Sequence, residues 1–217
     1  FPDRQYRQLI DIFHWRKQYA TNGKLTTMIN KLLIVICCAL CIWSLGLAVT
    51  VAAQNGEISL IGHLVAPIGW GPMSGLLLHF NLLLTGRERI LKRLWIYPVL
   101  YLPGLLIIFA FTVLPAFGQN TDMLIHTAYG WTPLVRNDGW DYLFYAYLIG
   151  FTVANLAVLL YTRMHSRDKV QRSQVTLLAI CIAVSYALGI LSDLVLEQFN
   201  IIIPQVSPVF SLLPIGA

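Results

Sequence analysis

Charge is scarce in this chain. Its 217 residues include 15 Lys and Arg and 10 Asp and Glu, 12% of the total, against 57% hydrophobic residues and a mean hydropathy of +0.67. So few charges cannot clothe a soluble domain of this length, which excludes that class. Cysteine is nearly as sparse: Cys37, Cys38 and Cys41 fall in one apolar run and Cys181 in another, none in an outward connection, so a disulfide framework is excluded. Cys38 and Cys41 share a helix face, but no further ligands stand at metal-site spacing. Small cysteines buried among apolar helices are the plainer reading, and no metal or cofactor is expected. The sequence also lacks HExxH, GxSxG, a Gly-rich phosphate loop and paired carboxylates on one helix face, so no catalytic chemistry is legible in it. There is no internal repeat and no low-complexity segment.

What is present is a series of apolar runs of about 20 residues, the length that crosses a hydrocarbon core of about 30 Å. They fall near 29–53, 59–84, 95–117, 141–162 and 174–196, and another starts near 200. The expected architecture is all-α: a polytopic transmembrane helix bundle of five full spans plus the start of a sixth, with one kinked Pro/Gly-rich helix. Two regions are expected, a basic segment over 1–28, cytoplasmic or interfacial, and a transmembrane bundle over 29–217. The first residue is Phe and the last lies inside an apolar run, so the sequence reads as part of a longer chain.

The few charges are unevenly placed. If the first span starts inside the cell, fourteen of the 15 basic residues lie in the inner pieces, including Arg87, Arg89, Lys92 and Arg93, and only Arg136 lies outside. The positive-inside rule then makes loops 85–94 and 163–173 cytoplasmic and loop 118–140 outside. The net charge of +5 is accounted for by topology, and no nucleic-acid partner is expected. Residues 1–28 carry Phe13, Trp15 and Tyr19 among basic groups, which suits an interfacial amphipathic helix or a cytoplasmic linker.

Polar residues at membrane depth are the functional candidates. His63, Trp70, Ser74 and Asn81 fall within a narrow stripe at 3.6 residues per turn, a face expected to meet protein, whereas His79 lies nearly opposite. Pro67, Gly69, Gly71 and Pro72 remove backbone donors or bulk, and fit either a broken, cavity-lining helix or an ordinary proline kink. Asp193 sits at the outer end of the fifth run, where Ser185, Gly189 and Ser192 form a small-residue seam; Asn155 is expected to be an interhelical hydrogen-bond partner. The outside loop adds His126 and Trp131, as ligand contacts or as interface anchors. Ligand candidates are therefore His63, Trp70, Ser74, Asn81, His126, Trp131 and Asp193, and the conformational candidates are Pro67, Gly69, Gly71, Pro72, Ser185 and Gly189.

The pattern of helix ends adds a resemblance. Pro67 and Trp70, then His79-Phe80, then Thr85-Gly86-Arg87 at the basic end resemble the third helix of the seven-helix N-terminal sensor domain of bacterial histidine kinases, a module also found before diguanylate cyclase domains. The runs "YPVLYLPGLLIIFAFTVL", "GWDYLFYAYLIGF", "LLAICIAVSYALGILSDLVL" and "IPQVSPVFSLLPIGA" are similar in layout to its later helices. The resemblance spans about 25–217, the second to sixth helices and part of the seventh. It implies a receptor in the bacterial inner membrane, a homodimer in the lipid bilayer. A small-molecule, lipid or peptide signal would repack its helices and so act on a cytoplasmic output domain outside this stretch. The resemblance leaves that output domain open between a histidine kinase and a diguanylate cyclase. The competing classes are a transporter or channel subunit, with Pro67–Pro72 a broken midplane helix and Asp193 a coupling carboxylate, and an accessory subunit of a membrane complex. The absence of an inverted repeat speaks against the transporter.

Overall fold

A computed structural model describes residues 3–117, 124–133, 138–166, 168–192 and 207–216. Helix α1 runs over Asp3–Ala52 and passes residue 28 without a break. Asn55 starts α2 (Gly56–Trp70), its side chain accepting from the Ile58 amide at 2.9 Å, the usual way an Asx residue satisfies a first-turn donor. A two-residue turn at Gly71 and Pro72 separates α2 from α3 (Met73–Leu84). A short α4 (Glu88–Leu91) leads to α5 (Ile96–Ile108), which widens into a π-helical turn at Phe109–Val113 and ends in α6 (Leu114–Ala116). Strands β1 (Leu124–Thr127) and β2 (Gly130–Pro133) pair antiparallel. Helix α7 (Gly139–His165) opens with a capping box between Asp138 and Asp141 and is followed by α8 (Lys169–Ile190). Two single turns close the described chain, α9 (Ser207–Phe210) and α10 (Leu213–Gly216).

Among the described residues, five stretches are long and apolar enough to cross a membrane: Leu25–Ala52, Gly56–Leu84, Ile96–Ala116, Gly139–His165 and Lys169–Ile190. They fall on the five apolar runs of the sequence, and the fold is a transmembrane helix bundle. The β-hairpin is the one departure from all-helical structure among the described residues. Its Gly130, which follows the reversal at residues 128–129, takes φ +104°, a conformation glycine adopts without steric cost.

The bundle is apolar outside as well as inside. Its core joins Leu32, Ile36 and Leu40 of α1 to Leu76, Leu77 and Leu83 of α3 and Leu100 of α5, and a second cluster joins Leu159 of α7 to Val175, Leu178 and Ile182 of α8. Ile34, Leu45, Leu105 and Val153 point outward and are exposed, as suits side chains whose solvent is lipid. Cys37, Cys38 and Cys41 also face out of the bundle, and only Cys181 is partly enclosed, which corrects the expectation that they fill its core.

Lipid gives helices no hydrophobic reason to associate, so close backbone packing does much of the work. Helices α1 and α2 meet this way. A Cβ added to Gly62 would lie 2.6 Å from both the Gly46 carbonyl oxygen and the Thr50 nitrogen, and one on Gly46 would lie 2.7 Å from the Ala66 nitrogen. The Ser59 hydroxyl donates across this seam to the Thr50 carbonyl at 3.1 Å. Gly69 continues it against Ala39 and Trp43, so one of the two conformational candidates within α2 is fixed to α1 by contact.

Candidate functional site

The turn at Gly71 and Pro72 is the structural centre of the bundle. Pro72 has no N–H to offer the preceding turn, and its φ of −81° and ψ of −8° flatten the helix there. The ladder holds up to the turn, with Gly71 N–H donating to Pro67 C=O at 2.8 Å, and resumes after it, with Leu76 N–H donating to Pro72 C=O at 3.0 Å. Between them, a side chain from another helix takes over. The Tyr147 hydroxyl of α7 accepts from Gly75 N–H at 3.1 Å and donates to Gly71 C=O at 2.9 Å. These two backbone groups are four residues apart and would bond each other in an unbroken helix, so the tyrosine hydroxyl is spliced into one rung of the ladder.

Neighbouring groups close around the splice. A Cβ on Gly75 would strike the Leu100 carbonyl, and one on Gly104 would lie 2.9 Å from the Gly71 carbonyl oxygen, so α5 lies backbone to backbone on the turn. Ser74 hydrogen-bonds the Tyr186 hydroxyl of α8 at 3.0 Å. One turn of α3 is thereby tied to α5, α7 and α8 at once. Gly71 serves as the bare point where two helices and a hydroxyl converge.

Of the predicted stripe, Ser74 and Asn81 face protein and are buried. Asn81 donates from Nδ2 to Asn155 Oδ1 at 2.6 Å, and Asn155 Nδ2 donates on to the Phe151 carbonyl at 2.9 Å, the interhelical role expected of Asn155. The Asn81 Oδ1 is enclosed without a partner. Trp70 packs among aromatics, its ring 5.5 Å from Phe111 and 4.8 Å from Phe144. His63 is half-buried on α2. Asp193 lies outside the described residues.

His126 and Trp131 sit elsewhere. They face each other across the hairpin with ring centroids 5.1 Å apart, and Trp131 Nε1 donates to the Ala53 carbonyl at 3.1 Å, pinning the hairpin to the α1–α2 connection. Gly56 lies against the same indole. Along α2, Gly56 and Trp70 are roughly 21 Å apart at 1.5 Å per residue, so the loop residues and the turn occupy opposite ends of that helix. Ser185 donates to the Phe210 carbonyl at 2.7 Å, and Gly189 meets Ser207, so the seam on α8 receives the chain's own α9.

Sequence reasoning missed two groups. Tyr147 read as one of several aromatics opening a helix, and nothing in its spacing marks a hydroxyl aimed at another helix's backbone. His79 was set opposite the stripe, and that face is also buried: its Nδ1 hydrogen-bonds the Tyr101 hydroxyl at 2.5 Å, its ring meets Tyr97 edge-on at 5.8 Å, and its Nε2 is enclosed without a partner. The apolar-plus-aromatic face of α5 was the available signal. Among the described residues, no three His, Cys, Asp or Glu lie close enough to hold a metal ion.

Residues 9–216 match the profile of a family described as the N-terminal 7TM region of histidine kinase. The chain belongs to that family. The match reaches further toward the start of the chain than the helix-end resemblance, taking in most of the basic segment before the first span. No curated protein and no solved structure gives a significant match. As a histidine-kinase 7TM region, the bundle is a multi-pass membrane sensor domain, with the lipid bilayer as its surroundings and a cytoplasmic output domain as its counterpart. The broken helix and its tyrosine splice lie at the heart of such a domain.

Proposed function

We propose that this region detects its signal by rearranging the α2–α3 turn, and that the Tyr147 splice is the observation that carries the reading. A switch needs two packings a few kcal/mol apart and a ligand that prefers one of them. Buried backbone in a membrane forbids states that leave donors unpaired. The splice meets both conditions, because withdrawal of the Tyr147 hydroxyl would let Gly75 N–H bond Gly71 C=O directly. Both arrangements satisfy the same two groups, and they differ in the position of α7 relative to α3.

The signal reaches the bundle at the outer face or within the bilayer, with His63, His126, Trp131 and Asp193 as the candidate contacts. The region acts as a homodimer in a bacterial inner membrane, with loops 85–94 and 163–173 cytoplasmic and 118–140 outside, as the basic-residue distribution supports. The family assignment favours this reading over a transporter or an accessory subunit. The test is autophosphorylation of the kinase that carries this region, reconstituted in vesicles with Tyr147→Phe. A shift in basal activity of several-fold at equal protein level is expected. Wild-type basal and stimulated activity would rule the turn out as the moving part. Unchanged signalling after substitution of His63, Trp131 and Asp193 would remove the proposed signal contacts while leaving the turn untouched.

A further inference from the structure

The basic end of the bundle holds a second construction, independent of the turn. Helix α3 ends in a Schellman motif: Gly86 takes φ +69°, Arg87 N–H donates to the Leu82 carbonyl at 2.8 Å, and Gly86 N–H donates to the Leu83 carbonyl at 3.1 Å. That motif fixes the backbone of Arg87 and sends its side chain to α7, where the guanidinium carbon lies 4.3 Å from the centre of the Tyr161 ring. The His165 imidazole stacks on the same ring at 3.9 Å and 15°. The two groups cannot share one face, so Tyr161 is held between a cation and an imidazole. His165 Nδ1 donates to the Tyr161 carbonyl at 2.9 Å, which fixes the imidazole too and leaves Nε2 directed away from its own helix.

This arrangement has charge but no counter-charge. Among the described residues no carboxylate pairs with Arg87, whose Nε is enclosed without a partner. Arg89, Lys92 and Arg93 follow within six residues, all exposed and likewise without an ion pair. Glu88 is the one acid in that stretch, and Asp168 nearby in sequence to α7 is engaged in capping α8 through the Val170 amide. Next to the cations stand large apolar side chains turned outward: Leu94 is 83% exposed, Trp95 58% and, beside His165, Met164 79%. Water would not tolerate that combination in a fixed surface as well as a membrane interface does, where cations meet headgroups and Trp and Leu enter the acyl boundary.

We propose that the basic end of the bundle binds the phosphate of an anionic phospholipid, at a site built from Arg87, Tyr161 and His165 and flanked by Arg89, Lys92 and Arg93. A planar guanidinium already braced against an aromatic ring presents its remaining donors to phosphate with little rotamer freedom left to lose. The apolar side chains beside it select a headgroup that comes with acyl chains over a free anion. Because Arg87 closes α3 and Tyr161 belongs to α7, the lipid would sit across the two helices that the Tyr147 splice also joins.

The test is native mass spectrometry of the full chain in detergent, with added dioleoylphosphatidylglycerol or dioleoylphosphatidylcholine. Tighter retention of phosphatidylglycerol is expected, and Arg87→Ala should weaken it about fivefold while leaving phosphatidylcholine adducts unchanged, the scale of one cation at an anionic surface. Arg87→Lys, which keeps charge but cannot stack flat, should fall between. If Arg87→Ala does not fold, Lys92→Gln with Arg93→Gln, both exposed, should reduce the same preference. Equal retention of the two lipids, or a phosphatidylglycerol preference untouched by these substitutions, would overturn the site. Loss of the bound lipid to millimolar inorganic phosphate would overturn the lipid as its occupant.

Discussion

Tyr147→Phe removes one oxygen and leaves the ring, whose contact with Phe151 at 4.7 Å between centroids persists. Two hydrogen bonds end on that oxygen. Hydrogen bonds between membrane helices contribute about 0.6 kcal/mol each on average and about 1.7 at most. If α3 then closes the Gly75 N–H to Gly71 C=O bond directly, part of the loss is recovered, and the variant should be less stable by about 1 kcal/mol. If instead the turn stays open, a buried N–H and a buried C=O each go unpaired at about 1–3 kcal/mol, for a total of about 2–6 kcal/mol. Reversible unfolding in micelles or bicelles separates the two outcomes. Exchange at the Gly75 amide reports which has occurred, slow if the direct bond forms and fast if it does not. A stability within about 0.3 kcal/mol of wild type, with Gly75 exchange unaltered, would refute the hydroxyl's place in the ladder, since surface changes alone scatter by about 0.5 kcal/mol.

Further substitutions probe the rest of the bundle. Asn81→Leu and Asn155→Leu should show a coupling of about 0.6–1.7 kcal/mol in a double-mutant cycle, whereas strictly additive single effects would mean that the 2.6 Å contact contributes nothing. Gly62→Leu drives a side chain into the backbone of α1 and should cost about 3 kcal/mol or prevent assembly, measured as the folded fraction after reconstitution. Gly23→Leu, with nothing within 4 Å, serves as its neutral counterpart. Trp131→Phe takes the donor from the Ala53 carbonyl and should speed amide exchange in β1 and β2 with about 1 kcal/mol of local destabilisation; unchanged hairpin protection would show that the indole does not hold it.

Much of the bundle was legible because lipid imposes a coarse rule. An apolar run of about 20 residues has few alternatives to a spanning helix, so the five spans could be placed from hydropathy alone. That the helix would be disturbed near Pro67–Pro72 was legible for a local reason, the missing donor of proline, but the choice between a break and a kink was not. The inward facing of Ser74 and Asn81 followed from helical period. What could not be read was which groups meet across helices. Tyr147 and Gly75 are 72 residues apart, and period along one helix carries no information on the rotation of another. The same gap hid His79, because a single-helix argument assigns one inward face, while α3 is buried on both sides by α5 and α7. The hairpin within 118–140 was missed since its strands have four residues each, too short for alternation to stand out, though Gly130 follows directly on the reversal.

The separation between the turn and its filler also bears on how the bundle is made. Gly71 leaves the ribosome 76 residues before Tyr147, a delay of roughly 4–15 s at about 5–20 residues per second. Helices α1 and α2 can interlock through Gly46, Gly62 and Gly69 during that interval, because both are already present and their seam needs nothing from later in the chain. The α2–α3 turn therefore enters the bilayer with its rung either closed on itself or hydrated, and takes the tyrosine only when α7 arrives. Biogenesis passes through a form without the tyrosine as a matter of order, so a chain arrested before α7 would show whether that rung closes on itself in the absence of its filler.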